Sequence, residues 1–463
     1  MRILQNLVFI FSLFIFLLDA GRGFAQGGWS TTEVLFAPEP GWKDLGTELV
    51  ADRAGFAHLV WVHYEEDTRL TQFYYARWDG SVWTVPVDIL VSAAGDIGWP
   101  ALVAADDGRL HLFWYQGFYI CHAWAWSIKA DCAHCWSSPR VIATVKEHWT
   151  AALDAIQDEY GVFHVVYPQR GGDCYYIRSE DGGETWSQPK AISAVSWDVT
   201  TYLPKVSAAD GRIHVVWTET QNLASSFFST LRVNYAYSSD SGTTWSLPLQ
   251  IAGQKYSDGN VVAVKGGVVH LLWNGGVGPG GRYYMRSEDG GETWSTPVRL
   301  SALAGQAGYP SLAFDSTGKL HVCTADGEYV SGDGYSWSLP VRLPFYQDLI
   351  EQSRLVVVRG KQLLAISPRH FAGIYYVTKL LDVPAIQVVT PVALTPVLTP
   401  SPMPGSVSEI VIPGISSRNT GIADEWVIAA DVQLGKELPI ILGVGGALVV
   451  VGCSIAIAKV RSK

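Results

Sequence analysis

The chain has 463 residues, only 16% of them charged, and carries 19 Trp, 21 Tyr and 46 Gly against 3 Met. So many aromatics and glycines with so few charges exclude a helical bundle and predict an all-β chain punctuated by turns. A net charge of −10 with no long basic run excludes a surface that tracks nucleic acid.

The first element is an export signal. Arg2 supplies a positive start, Leu7 to Leu18 an apolar run, and Gly23-Phe-Ala25 small residues before a cut that leaves Gln26 as the first mature residue. Residues 1–25 are therefore expected to be removed. An uncleaved anchor is the alternative, although the run is too short to span a bilayer.

Residues 26–382 carry a repeat with three markers. Trp29, Trp83, Trp136, Trp186, Trp245, Trp294 and Trp337 each open a strand, usually followed by Ser or Thr and then Pro. His58, His111, His164, His214, His270 and His321 sit at nearly even spacing in Gly-x-x-His-apolar-apolar strands, with Leu363 at the matching place in a last copy. Tyr-rich strands around Tyr75, Tyr176, Tyr235, Tyr284 and Tyr376 form the third marker. Each unit thus reads as four short antiparallel strands, which is a β-propeller blade.

Six complete units run from about Glu48 to Leu343, and a seventh has three strands between Arg354 and Leu380. The orphan strand Gly28 to Leu35 supplies the missing fourth, which closes the ring between the chain ends and removes its open edges. The expectation is a seven-bladed propeller, with six blades as the alternative.

The turn between the Tyr and Trp strands is Ser179-Glu-Asp-Gly-Gly-Glu-Thr-Trp186, repeated letter for letter from Ser287 to Trp294 and more loosely from Ser239 to Trp245. Asp181 and Asp289 are placed to accept backbone N–H bonds, the glycines permit positive φ, and Ser179 and Thr185 add hydroxyl bonds. Ser-x-Asp-x-Gly-x-Thr-Trp resembles the Asp box, or bacterial neuraminidase repeat, of the sialidase-like β-propellers. The resemblance covers about Gly28 to Leu380 and implies structural roles for Gly183, Asp240, Gly242, Gly291, Thr293, Asp333 and the tryptophans that follow. In that family the boxes lie away from the active site and also occur in propellers with other activities or none.

A sialidase of that family would need an arginine cluster, a tyrosine nucleophile with its glutamate, and an aspartate acid/base. The Arg-Ile-Pro-like triplet that introduces the first arginine is absent, and Arg53 falls at a first hairpin, on the Asp-box face. Function is therefore expected on the opposite face, where loops vary. There Trp42, Trp99, Trp149, Tyr202, Tyr256, Tyr309 and Tyr346 precede the inner strands. They are either ligand-binding surfaces for sugar faces or repeated packing residues. Unrepeated charged residues, Arg69, Arg170, Glu219, Asp258 and Arg282, are the catalytic candidates. The strand histidines repeat at one blade position and are read as structural.

Cys132-Ala-His-Cys135 replaces the Asp box of its unit. The oxidising side of a membrane favours a local disulfide; a metal held with His122 and His134 is the alternative, weakened because zinc sites usually need two spaced ligand pairs. Cys121 and Cys174 form a second candidate pair. No cofactor or metal is expected.

Residues 383–437, with Thr-Pro and Ser-Pro repeats, read as a stalk and juxtamembrane segment. Residues 438–458 are uncharged and long enough to cross a bilayer as a helix, and Lys459, Arg461 and Lys463 hold the 459–463 tail inside. The expectation is a single-pass cell-surface protein whose extracellular propeller recognises carbohydrate or glycoprotein without catalysis. The alternatives are an exo-α-sialidase-type glycoside hydrolase and a non-catalytic protein-interaction scaffold.

Overall fold

The computed structural model describes residues 28–37, 39–92, 97–146, 152–169, 171–196, 198–221, 229–253, 257–275, 281–301, 310–324, 327–345, 353–369 and 373–389, and two short strands, Ile415–Arg418 and Glu425–Ile428. The expected export signal, membrane segment and tail lie outside the described residues, as does most of the stalk. Among the described residues no helix is long and apolar enough to cross a membrane.

Seven sheets follow one another along the chain, each built on four antiparallel strands, and the first of them carries two more. Blade 1 runs from Trp42 to Ser92, blade 2 from Ala101 to Thr144, blade 3 from Asp154 to Ala191 and blade 4 from Val199 to Ala252. Blade 5 spans Asp258 to Ser301 and blade 6 Ser311 to Arg342. Blade 7 takes Arg354–Val358, Gln362–Arg369 and Gly373–Leu380 from the end of the chain and Glu33–Phe36 from its beginning. Seven blades closed by the N-terminal strand is thus the observed architecture. The closing strand pairs Glu33 with Tyr376 and Val34 with Tyr375, and begins later than the expected Gly28. Blade 1 is further extended where Glu425–Ile428 lies parallel beside Val87–Ser92.

The second strand of every blade is covered on both faces, so it reads as an unbroken apolar run rather than an alternating one. The core is accordingly divided into clusters that each join neighbouring blades, with Trp61, Trp114 and Trp217 fully buried. Three-residue spacing ties these rings to the strand histidines, as in His58 and Trp61.

Those histidines are structural. The Nδ1 atoms of His58, His164, His214, His270 and His321 sit 2.7–2.8 Å from the hydroxyls of Tyr75, Tyr176, Tyr235, Tyr284 and Tyr329. In blade 2 the tyrosine is replaced by His122, whose Nε2 lies 2.9 Å from His111 Nδ1. His122 is therefore occupied in the core and is no partner for His134.

Each of these rings packs against the Trp of the next blade: Tyr75 on Trp136, His122 on Trp186, Tyr176 on Trp245, Tyr235 on Trp294, Tyr284 on Trp337, Tyr329 on Trp29 and Tyr376 on Trp83. The circle of aromatic contacts closes through Trp29, which is fully buried.

The Asp boxes hold their hairpins as their composition requires. Asp181 accepts from the amides of Glu184 and Thr185 and from the Thr185 hydroxyl, while Ser179 Oγ accepts from the Gly183 amide. Asp289 repeats the pattern with Glu292 and Thr293. Asp240 does so with Thr244, its box serine being Ser238 rather than Ser239. The Thr185 bonds, with those from Ser179 and Glu184, hold the Asp181 carboxyl down at about 2, and Thr244 does the same for Asp240. Asp333 accepts from Tyr335 and Ser336 in blade 6.

Cys132 and Cys135 are joined by a disulfide, as expected. Cys121 and Cys174 are not joined to each other: both are buried, as is Cys323. Each belongs to a different inter-blade cluster, where it packs as a small apolar side chain.

After blade 7 the chain crosses the Asp-box face. Ile386 donates its amide to Arg359 O and Val389 to Arg53 O, both at first hairpins.

Candidate ligand-binding mouth

Opposite the Asp boxes, the propeller's symmetry is broken in blades 1, 4 and 5. Their inner strands, Trp42–Ala51, Val199–Ala209 and Asp258–Lys265, are longer than those of blades 2, 3, 6 and 7 and carry a register shift part-way. Each shift contains a residue in the left-handed region: Gly46 at φ 52°, Leu203 at φ 50° and Gly259 at φ 57°. An extra residue in one strand bends it and re-aims what lies beyond, here the mouth-side end of the strand.

Two bulges are pinned by the neighbouring blade. Arg354 Nε of blade 7 donates to Thr47 O at 2.9 Å, and Asn260 Nδ2 of blade 5 donates to Leu203 O at 3.0 Å. Asn260 also accepts from the Thr218 hydroxyl at 2.6 Å, so the seam between blades 4 and 5 is tied by one side chain. The Trp99 ring lies against Gly46, where a Cβ would approach it to 2.8 Å.

Above the bulges each of these blades lines up polar residues across its strands. Blade 1 places Asp44, His63 and Gln72 abreast; blade 4 places Thr201, Glu219 and Arg232; blade 5 places Asp258, Asn274 and Arg282. His63 is buried, stacked on Trp42 with ring centroids 4.1 Å apart, and its Nδ1 is 2.9 Å from Asp44 Oδ1. A carboxylate can only accept, so His63 Nδ1 is the donor to Asp44, and Nε2 is turned toward Glu39, 4.0 Å away. Glu219 accepts from Arg232 Nε at 2.5 Å and from Trp217 Nε1 at 3.3 Å.

Below the mouth, a channel of about 400 Å³ is crossed by charges from four blades. Lys205 Nζ lies 3.0 Å from Asp154 and 3.7 Å from Glu48, and Arg354 lies 2.9 Å from Glu48. Burial pushes both carboxyls up. At Glu48, Arg354 and Lys205 outweigh it and hold the group low, whereas Asp154, facing Glu48 as well as Lys205, stays raised. Burial works against a charged Lys205, but Asp154 and Glu48 reverse that and raise it. Two acids and two bases thus neutralise one another and floor the mouth.

Of the candidates read from sequence, Asp258 and Arg282 stand in register on the two strands that flank Asn274 in blade 5, and Glu219 lies in the corresponding row of blade 4. Arg69 sits apart on an exposed turn of blade 1 at φ 62°. Arg170, Trp149, Tyr256, Tyr309 and Tyr346 lie outside the described residues. Trp42 and Trp99 are half-buried packing partners of His63 and Gly46, and Tyr202 is half-buried beside the Leu203 bulge.

Sequence reading missed Asp44, His63 and the channel quartet. A cue for His63 was present: two residues after the buried aromatic of strand two stand His63, Gln116, Gln169 and Glu219, an unequal polar set at one blade position, all buried. Among the described residues, the one group able to bring three metal-ligand atoms within 4.8 Å of one another is Cys132, His134 and Cys135, on the other face.

A family model described as BNR repeat-like domain matches residues 65–322. No curated protein matches the sequence. Among solved structures, the chain is similar to a PL25 polysaccharide lyase, an ulvan lyase bound to -[GlcA(1-4)Rha3S]-, at 14% identity and a TM-score of 0.51 over 72% of this chain and 93% of that one. A second PL25 ulvan lyase structure gives 0.52 at 14% identity over 74% and 95%. A sialidase of Trypanosoma rangeli in complex with sialic acid is similar at 12% identity and a TM-score of 0.46, over 78% of this chain and 60% of that one. The ulvan lyase likeness shows a shared fold.

Proposed function

The chain belongs to the BNR repeat-like domain family, and from that membership we propose that it is a glycan-recognising propeller of the cell surface, whose ligand enters at the mouth opposite the Asp boxes. The observation that carries this reading is the set of three bulged inner strands, each with a row of hydrogen-bonding side chains across it. Sugar recognition requires a concave surface with a few well-placed donors and acceptors, and Asn274, Arg282, Gln72 and Thr201 supply both. The PL25 relative of this architecture carries an oligosaccharide, which supports carbohydrate as the ligand class.

The exit of the chain supports the topology. Leu381 to Val389 leaves across the Asp-box face, so a stalk and membrane helix in residues 383–458 would turn the mouth away from the bilayer. Recognition without turnover is the favoured form: Glu219 is engaged by Arg232 and Trp217, and the channel carboxylates by Lys205 and Arg354.

Purified protein should be screened on an array of neutral, uronic and sialylated glycans, with fluorogenic α-sialoside hydrolysis measured on the same sample. Binding that falls at least about tenfold in Asn274→Ala and Arg282→Lys, as expected for a lost polar contact worth roughly 1.4 kcal/mol, with unchanged melting and no hydrolysis, is the expected result. Turnover would make the protein an enzyme, and silence in both assays would sink the glycan reading.

A further inference from the structure

On the Asp-box face the outer hairpins of blades 1, 3, 4, 5 and 6 are each organised by a carboxylate, Asp79, Asp181, Asp240, Asp289 or Asp333, that accepts backbone amides of its own turn. In blade 2 the hairpin is closed instead by the Cys132–Cys135 bond over the short turn Ala133–Cys135. The two sulfurs and a ring nitrogen of His134 lie within 4.8 Å of one another. Both cysteines are half-buried and His134 is exposed, so a reductant reaches the bond from solvent. Cys121, Cys174 and Cys323 are buried, and burial pushes the Cys174 thiol far up, out of the range of exchange.

We propose that Cys132, His134 and Cys135 form a redox-gated site for a thiophilic divalent cation of the Zn2+ class. A small dithiol reduces the bond by exchange: its thiolate attacks one sulfur, the mixed disulfide is displaced by its second thiol, and the products are two cysteine thiols and the oxidised reductant. Both thiols then lose a proton to bind the cation through sulfur, the neutral His134 imidazole is the third donor, and water takes the fourth position. Reduction strips this hairpin of its cross-link and leaves it held by hydrogen bonds alone, among them Cys135 amide to Cys132 O, Trp136 amide to Ala133 O and Trp136 Nε1 to Ala130 O. A bound cation would close the loop again. The oxidised form holds no cation because its sulfurs are bonded to each other.

The full chain, reduced with dithiothreitol and desalted without air, should show two more native-state Ellman thiols than the oxidised protein. It should then bind one equivalent of Co2+, seen by sulfur-to-metal absorption in the near ultraviolet and displaced by Zn2+. The oxidised protein and Cys135→Ser should show no such absorption. His134→Ala, an exposed position where folding is not at stake, should weaken binding by more than the roughly tenfold typical of a lost outer-shell partner. Failure of the two thiols to appear, equal Co2+ binding by oxidised and reduced protein, or wild-type affinity in His134→Ala would each overturn the proposal.

Discussion

Gly291 shows how tightly one blade is fitted to the next. It has φ 96°, and a Cβ there would strike the Tyr235 hydroxyl of the preceding blade, which His214 holds at 2.7 Å and cannot release. Gly291→Ala is expected to cost about 2–4 kcal/mol, adding overpacking to left-handed strain. Gly211→Ala, at φ 71° with nothing within 4 Å, should cost only about 1 kcal/mol; urea unfolding of the two variants compares them directly. A second consequence concerns protons. Burial, helped by nearby arginines, lowers His214 and His270 from 6.5 to about 4 and His111 to about 3. These are bases depressed in the fold, so as pH drops below about 6.5 the unfolded chain takes up protons first and stability is lost down to about pH 4, on the order of 3 kcal/mol for His214. The Asp boxes act lower still: Asp181 and Asp240 are held at about 2, so their contribution is present above about pH 4 and disappears as pH falls toward 2. A urea midpoint that stays level between pH 7 and 4.5 would contradict the histidine account.

At the scale of the strand, what was legible in the sequence is what repeats. The Trp, His and Tyr markers and the Asp boxes recur because packing between blades demands the same shape around the ring, and so they located every blade and the outer hairpins of blades 1 to 6. The mouth depends on departures from the repeat, and these leave fainter traces. Gly46 and Gly259 could have hinted at bulges, but Leu203 adopts the same left-handed geometry without a glycine, held by Asn260 from the next blade. The channel charges were unreadable for another reason: Glu48, Asp154, Lys205 and Arg354 meet only once the ring has closed. Asn260→Ala leaves Leu203 O and the Thr218 hydroxyl without this partner and should cost about 2–3 kcal/mol. Because the bulge aims the Thr201 and Glu219 row, glycan affinity should fall with it. A variant that loses stability but keeps full affinity would separate the bulge from the mouth.

For the molecule as a whole, the decisive contact is between its ends. Trp29 is fully buried against Tyr329, the Ser30 amide bonds Thr378 O, and Tyr376 donates its hydroxyl to Glu33. Trp29→Ala should cost about 3–5 kcal/mol, and removal of residues 28–36 should leave blade 7 with a bare edge and produce aggregation during refolding, measurable by light scattering. An intact, monodisperse protein after that deletion would mean that the ring holds without its closing strand. The same register, Glu33 opposite Tyr376, also sets a clock. The ribosome makes the closing strand before any other strand of the propeller and its partner after all the others, and at roughly 5–20 residues per second the wait is tens of seconds. Blades 1 to 6 can form while the chain is still growing, but blade 7 cannot. A chain that stops before Gly373 is therefore an open ring, with Glu33–Phe36 left without its partner strand.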